Sequence, residues 1–319
     1  MNYRILGKTG LKVSEVGIGT WAFGGPTILG GTQIGWGKVD DRVSLKTLAH
    51  CFELGINFID TADSYGKGHS EEIIGRAVKG RREGIIIATK CGNFEDEQGR
   101  WVQSWHPDYV RQACENSLRR LQTDYIDLYQ IHTPLPGKSE FKYEPETFDV
   151  FEDLKKSGKI LYYGYSSYNT EDALKIIELG YCDTVQMVYN LFNREPEKRF
   201  FQIAKKNNIG IIVRVPLASG FLTGKFNKNV KFKKDDHRSR LSNHEIRKMV
   251  DKVEKIRHIA EEKNRTLSQF ALQFCLQNDA VSVVIPGAKT PEQLEENAKA
   301  NSYGTLFPKE VNEVNRIFI

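Results

Sequence analysis

Asp60, Tyr65, Lys90 and His132 are the residues of this chain whose types and spacing suit one piece of chemistry. Asp60 closes the apolar run "NFID", Lys90 closes "IIIATK", and His132 closes "LYQIH". Tyr65 follows Asp60 by five positions, in "DTADSYG". Each alone has an ordinary explanation: a strand-end aspartate caps a turn, and a single lysine or histidine is structural or solvated. Together they form a proton-donating set. A phenol titrates at about 10, too high for easy donation at neutrality. A neighbouring ammonium lowers that value, and a carboxylate paired with the ammonium holds it in place and charged. An imidazole opposite can donate a hydrogen bond to a carbonyl oxygen as that oxygen gains charge. The set supplies neither a nucleophile nor clustered metal ligands, so it suits protonating an oxygen while something else attacks the carbon.

Such a set works only if its members share one rim. Apolar runs at 16–20, 57–60, 85–90, 126–132, 160–166, 184–188, 209–213 and 280–286 recur with helical patterns between them. That is the rhythm of βα units. Eight such runs in 319 residues, with no G-x-G-x-x-G after the first, fit an α/β fold of the (β/α)8 TIM barrel type better than an open doubly wound sheet. A barrel brings the carboxyl ends of its strands to one mouth, where long loops and the chemistry are expected. Segments 3–6 and 11–13 around "GKTG" read as an N-terminal β-hairpin plugging the other end. Helix punctuation agrees. "DDRVSLKTLAHCFELG" places Val43, Leu45, Leu48, Ala49 and Phe52 in a helical pattern that Gly55 stops. "HSEEIIGRAV" offers Ser70 as N-cap, and "HPDYVRQACENSLRRL" puts Pro107 at a first helical position. No linker divides the chain, so residues 1–319 read as one domain.

Composition narrows the class. A net charge of +5 is mild for this length and excludes a strongly basic nucleic-acid binder. Cys51, Cys91, Cys114, Cys182 and Cys275 lie far apart and read as reduced, buried thiols of a cytoplasmic protein. The first residues lack the charged-then-apolar pattern of a signal peptide. No run approaches the roughly 20 apolar residues of a membrane span.

The motifs "NFIDTADSYGKGHSEEIIGRAV", "IIIATKCG", "LYQIH", "GYSSYN", "VQMVYN", "PLASGFLTGKF" and "IPGAKTPEQLEENA" follow one another from "GIGTWAFGG" to "EENAKA". In this order the chain resembles the aldo-keto reductase family over most of its length. The resemblance implies a (β/α)8 barrel, NADPH bound extended across the rim, and reduction of an aldehyde or ketone. It implies that Asp60, Tyr65, Lys90 and His132 form the catalytic tetrad, with Tyr65 as general acid and no metal. It places Gly19, Thr20 and Trp21 near the nicotinamide, and Ser166, Ser167 and Gln186 on its carboxamide. Leu217, Ser219, Gly220, Leu222, Gly224 and Lys225 would follow the pyrophosphate. Lys289 and Thr290 would take the adenosine 2′-phosphate, and Gln293, Glu296 and Asn297 the adenine. Pro216, Pro286 and Gly287 complete the cofactor set. Two positions depart from the family pattern. Ser167 stands where many members have asparagine. Arg214 stands where better-known members stack a tyrosine on the nicotinamide; its planar guanidinium can stack too, and adds charge near the ring.

The "IPGAKTPEQLEENA" segment also has a reading of its own. Thr290 and Gln293 have capping-box spacing, and Pro291 sits at the first helical position. This is a helix N-terminus with Lys289 beside it, which is an anion site or simply a well-capped surface helix. A cation there favours NADP over NAD. The basic run "KFNKNVKFKKDDHRSR" reads as a solvated flexible loop or, in a sharper form, as a loop folding over the cofactor phosphates. Trp21, Phe23, Trp36, Trp101, Trp105 and Tyr189 favour an apolar or ring-bearing carbonyl, and read equally as walls of the cofactor pocket or as packing for the loops. Two further functions use the same residues. One is a sugar or polyol dehydrogenase running in the oxidative direction. The other is a cofactor-sensing regulatory subunit with little turnover, like the potassium-channel β subunits. A small-molecule carbonyl is the only partner the sequence marks; no nucleic acid, membrane or protein partner is expected.

Overall fold

The computed structural model describes residues 1–132 and 145–318. Short strands rich in branched aliphatic residues, such as "GIIVR" and "VSVV", pair in parallel. They are β1 Ile18–Gly19, β2 Phe58–Asp60, β3 Ile86–Cys91, β4 Ile126–His132, β5 Ile160–Ser167, β6 Thr184–Val188, β7 Gly210–Arg214 and β8 Val281–Val284. Their order in the sheet follows the chain from β1 to β8. Parallel bridges from Val16 to Val284 and from Gly19 to Gly287 bring the first strand against the last. There the Gly17 N–H donates to Val284 O at 2.8 Å and the Gly19 N–H to Pro286 O at 3.0 Å. This is the expected (β/α)8 barrel.

Helices cover the outside. α1 Asp41–Glu53, α2 His69–Val78, α3 Pro107–Leu121, α4 Pro145–Lys156, α5 Thr170–Leu179 and α6 Phe200–Lys206 follow the first six strands in turn. α7 Asn243–Glu261 and α8 Leu267–Leu276 separate β7 from β8, and α9 Pro291–Ala298 and α10 Pro308–Phe318 come last. Side-chain caps start many of them: Asp40, Asn169 and Thr290 accept a first-turn N–H, and Ser242 and Thr266 form full capping boxes with Glu245 and Gln269.

Two local expectations change. α1 buries Ser44, Thr47, Leu48 and Cys51 and leaves Ala49 exposed, because the helix packs through its small hydroxylic residues as well as its apolar ones. α2 begins at His69 with Gly68 as its N-cap, and Ser70 lies inside the first turn. The Ser70 hydroxyl instead contacts Thr20 Oγ1 at 2.8 Å and accepts from Thr61 Oγ1 at 3.0 Å. It ties the start of α2 to the loops after β1 and β2.

The N-terminal hairpin pairs Tyr3–Ile5 with Lys12–Ser14. Its Leu6 and Val13 are wholly buried against Phe58, Ile86, Leu128, Ile212 and Val283. An apolar plug thus closes the barrel at the amino ends of its strands, as the sequence predicts.

Candidate active site

Register carries side chains from six strands to the opposite rim. Asp60 pairs with Gly19 and Ala88, Gln130 with Lys90, His132 with Ser166, Ser166 with Gln186, and Val188 with Arg214. A hydrogen-bonded chain links them across the barrel. Arg214 Nη1 donates to Ser166 Oγ at 3.0 Å, and Ser166 Oγ donates to Gln186 Oε1 at 2.9 Å. Gln186 Nε2 donates to Asp60 Oδ1 at 2.6 Å, and Lys90 Nζ donates to Asp60 Oδ2 at 2.9 Å. Lys90 is fully buried and also donates to Thr61 O at 2.6 Å. A charge so deep is tolerable only because every donor has an acceptor and the carboxylate lies alongside.

Tyr65 stands over this pair. It begins a 3-10 turn, Tyr65–Gly68, in which Gly66 and Lys67 take left-handed conformations. A side chain at Gly66 would strike Gly24 O at 2.4 Å, so glycine lets two loop backbones touch and fixes where Tyr65 points. The Tyr65 ring stacks on Trp21 with centroids 5.8 Å apart, meets His132 edge-on at 6.0 Å, and has Lys90 Nζ 5.1 Å from its centroid. It is buried and held, rather than free to swing over the rim. Burial, then the Asp60 charge, pushes its phenol above the ordinary value, against the expected lowering by lysine. The physical reason is that a phenolate in this buried site would lose its hydration and face the Asp60 carboxylate. Burial, followed by the Lys90 and Arg214 charges, holds His132 well below the usual histidine value, so its ring is neutral. His132 Nδ1 is buried, with no hydrogen-bond partner among the described residues.

A cleft of about 430 Å³ opens on this rim. Gly19, Trp21, Asp60, Tyr65, Gln186 and Arg214 wall it where the tetrad lies. Pro216, Leu217, Ser219, Gly220 and Lys225 line it from the loop after β7, and Pro286, Gly287, Lys289, Gln293, Glu296 and Asn297 from the segment after β8. Val215 holds φ 55, a strained conformation for a β-branched residue, with its carbonyl accepting from Asn190 Nδ2 at 2.9 Å.

Other expected residues stand behind the wall. Thr20 is buried, its hydroxyl donating to Asp60 O at 2.8 Å. Ser167 Oγ donates to Asn169 O at 3.0 Å and accepts the Asn169 N–H at 2.9 Å, so it serves the turn before α5 rather than facing the cleft. Leu222 belongs to the core, and Gly224 is a left-handed helix stop whose carbonyl accepts from Arg257. Thr290 caps α9, while Gln293 Oε1 accepts the Lys289 N–H at 2.9 Å instead of completing a capping box. Among the aromatics Tyr189 takes the packing role: it is buried against Phe201 and Phe274, with its hydroxyl on Glu197. Phe23 is likewise core.

The basic run is built into the site. Phe226 and Phe232 pack on Phe221, which anchors the loop. Trp36 bridges to Asp236, and the His237 N–H donates to Gly35 O at 3.2 Å, clasping the loop to the segment after β1. Arg238 joins the cleft wall and lies over Trp36, and Lys289 Nζ donates to Trp36 O. Only membership of the basic run marks Arg238 in the sequence. Burial lowers the Lys225 and Lys289 ammonium groups; the Arg238 charge acts on both, and Lys289 adds to it at Lys225. Three cations sharing one wall beside the α9 N-terminus fit the phosphates of an extended dinucleotide.

The model of the Aldo/keto reductase family matches residues 15–319. The aldo-keto reductase YhdN of Bacillus subtilis is 32% identical, the match covering 99% of this chain and 93% of that protein. An NADH-specific methylglyoxal reductase of Escherichia coli is 30% identical, with 92% of each chain covered. The solved structure of the glycerol dehydrogenase AKR11B4 from Gluconobacter oxydans superposes with a TM-score of 0.82 at 33% identity, covering 99% of this chain and 94% of that one.

Proposed function

The chain belongs to the aldo/keto reductase family, oxidoreductases acting on carbonyl and alcohol groups, and on that premise we propose that it reduces an aldehyde or ketone to an alcohol with NADPH. The observation that carries this reading is the buried Lys90–Asp60 pair set beneath Tyr65 at the wall of the cleft. A reduced nicotinamide bound there supplies the hydride. Tyr65 supplies the proton: burial keeps its phenol loaded near neutrality. Lys90, held by Asp60 and Thr61 O, stabilises the phenolate left behind. Neutral His132 offers a ring N–H to the carbonyl oxygen as negative charge grows on it. Trp21, stacked on Tyr65, screens the reacting groups from water.

Lys225, Arg238 and Lys289 support NADPH over NADH, since a bound 2′-phosphate relieves their mutual repulsion. Gln293, Glu296 and Asn297 wall the same part of the cleft and suit the adenine. The five free cysteines, all buried, fit a cytoplasmic protein acting as one catalytic domain. A second reading, oxidation of a polyol by the same residues in reverse, is favoured by the likeness to the glycerol dehydrogenase.

The test is a panel of carbonyls and polyols, followed by nicotinamide absorbance in both directions with both cofactors. Aldehyde or ketone reduction with NADPH at the higher kcat/KM is expected. Equal use of NADH would remove the 2′-phosphate contact, and faster polyol oxidation would favour the second reading.

A further inference from the structure

Arg214 is a cation of unusual placement. It lines the cleft beside Tyr65 and Asp60 yet is only 7% exposed. Its hydrogen-bond partners are hydroxyls: Ser166 Oγ at 3.0 Å and Tyr168 Oη at 2.6 Å, with the Tyr168 ring centroid 4.3 Å from the guanidinium carbon. Asp60 acts on it at longer range, but that carboxylate is already committed to Lys90 and Gln186. The hydrogen bonds and the stacked ring fix the guanidinium in the cleft floor, with no carboxylate among the described residues in an ion pair with it.

Charges around the tetrad can be counted. Lys90 and Asp60 cancel as a pair, His132 is neutral, and Tyr65 is protonated. Burial, then the Glu71 charge, pushes the nearby Asp63 carboxyl well above its usual range, toward its neutral form. At this end of the cleft Arg214 adds a positive charge that no carboxylate among the described residues pairs with. Its field reaches the reacting groups, since it pulls Tyr65, Lys90 and His132 alike toward their deprotonated forms. A nicotinamide that has given up a hydride is a pyridinium cation, whereas the reduced ring is neutral. The hydride must leave the ring within bonding reach of the carbon whose oxygen Tyr65 protonates, so the ring lies among these groups. A fixed cation in a buried site repels the oxidised ring and is indifferent to the reduced one.

We propose that Arg214 makes the nicotinamide site discriminate between redox states, holding the reduced cofactor in preference to the oxidised one. The preference fills the site with the reductant from a mixed cofactor pool and favours release of the spent form. This rests on the carbonyl-reductase reading for where the nicotinamide binds, and it is independent of which carbonyl is reduced.

The test is equilibrium binding, read by quenching of tryptophan fluorescence, because Trp21 and Trp36 wall the cleft. Dissociation constants for NADPH, NADP+ and adenosine 2′,5′-bisphosphate are measured on the unaltered chain, Arg214→Gln and Arg214→Lys. The unaltered chain should bind NADPH more tightly than NADP+. Arg214→Gln should shrink that ratio about tenfold, the order expected of one screened charge. Arg214→Lys, which keeps the charge and loses the planar fork, should retain most of it. The bisphosphate, which lacks the nicotinamide, should bind all three chains equally and so report that the site is folded. An unchanged ratio in Arg214→Gln with normal bisphosphate binding would overturn the proposal, as would a ratio lost equally in Arg214→Lys. Absence of turnover on every carbonyl would count against the reductase reading alone, with the ratio still measured. Failure of the unaltered chain to bind either dinucleotide would overturn both.

Discussion

The two mouths of the barrel are made by the same strands and differ in almost every physical respect. At the amino ends, Leu6 and Val13 of the hairpin meet Phe58, Ile86, Leu128, Ile212 and Val283 in an apolar cluster. At the carboxyl ends, Asp60, Lys90, His132, Ser166, Gln186 and Arg214 are nearly as deeply buried. The floor satisfies itself by contact, whereas the rim must satisfy each polar atom by a specific partner. Reaching the rim costs desolvation that the floor never meets, and the hydrogen-bonded chain from Arg214 to Lys90 offsets that cost. Apolar packing therefore closes one end, and the polar side chains gather at the other.

The largest expected effect tests the rim. Tyr65→Phe should lower carbonyl reduction by about 10²–10⁴-fold, the usual contribution of a positioned acid. NADPH binding, read by tryptophan quenching, should survive. Near-normal turnover would move the proton donor elsewhere and dissolve the assignment of chemistry to this mouth.

The matching test of the floor is Leu6→Ala. Truncating a side chain with no exposed surface in a packed plug should cost about 2–5 kcal/mol, measured by urea unfolding. The kcat of the folded fraction should be unchanged. A fall in kcat comparable to that of a rim variant would show that the two ends are not separable.

The smallest effect sharpens the contrast through pH. His237 lies among Trp21 and Trp36 above the cleft, and burial, with Arg238 and Arg240 nearby, lowers it from 6.5 to about 4. Its folded value lies below its unfolded one, so between those limits the unfolded chain binds more protons. The stability contributed by its neutral form is complete above about 6.5 and is lost as pH falls toward about 4, at up to about 1.4 kcal/mol per pH unit. His237→Asn should therefore lose less stability than the unaltered chain between pH 7 and 5. An identical pH dependence in the two chains would mean that His237 is solvated when folded. The floor variant should keep the parent's pH profile, having no proton to exchange.

Much of the site was legible because strand ends are visible in sequence. Asp60, Lys90 and His132 each terminate an apolar run, and in a parallel barrel such positions share a mouth. Side-chain direction was not legible. Ser167 sits beside Ser166 in β5, and alternation along the strand turns one hydroxyl to Gln186 and the other to the Asn169 turn. Tyr189 resembles a pocket aromatic by composition, but it follows β6 outward into the packing of α6 and α8. The basic loop looked solvated because its hydrophobic contacts, Phe226 and Phe232 on Phe221, involve a partner outside most of the run.

By itself the sequence determined the periodic elements, the closing hairpin and the placing of Asp60, Lys90 and His132 at strand ends, because local pattern suffices for these. The tertiary structure alone decided that Tyr65 is stacked and kept protonated, since that depends on burial and on the Asp60 charge beside it. It also decided that Arg214 has no ion-paired carboxylate among the described residues while Arg238 comes to the cleft wall. Charge compensation is a property of neighbours in space, and those neighbours come from strands and loops far apart in the chain.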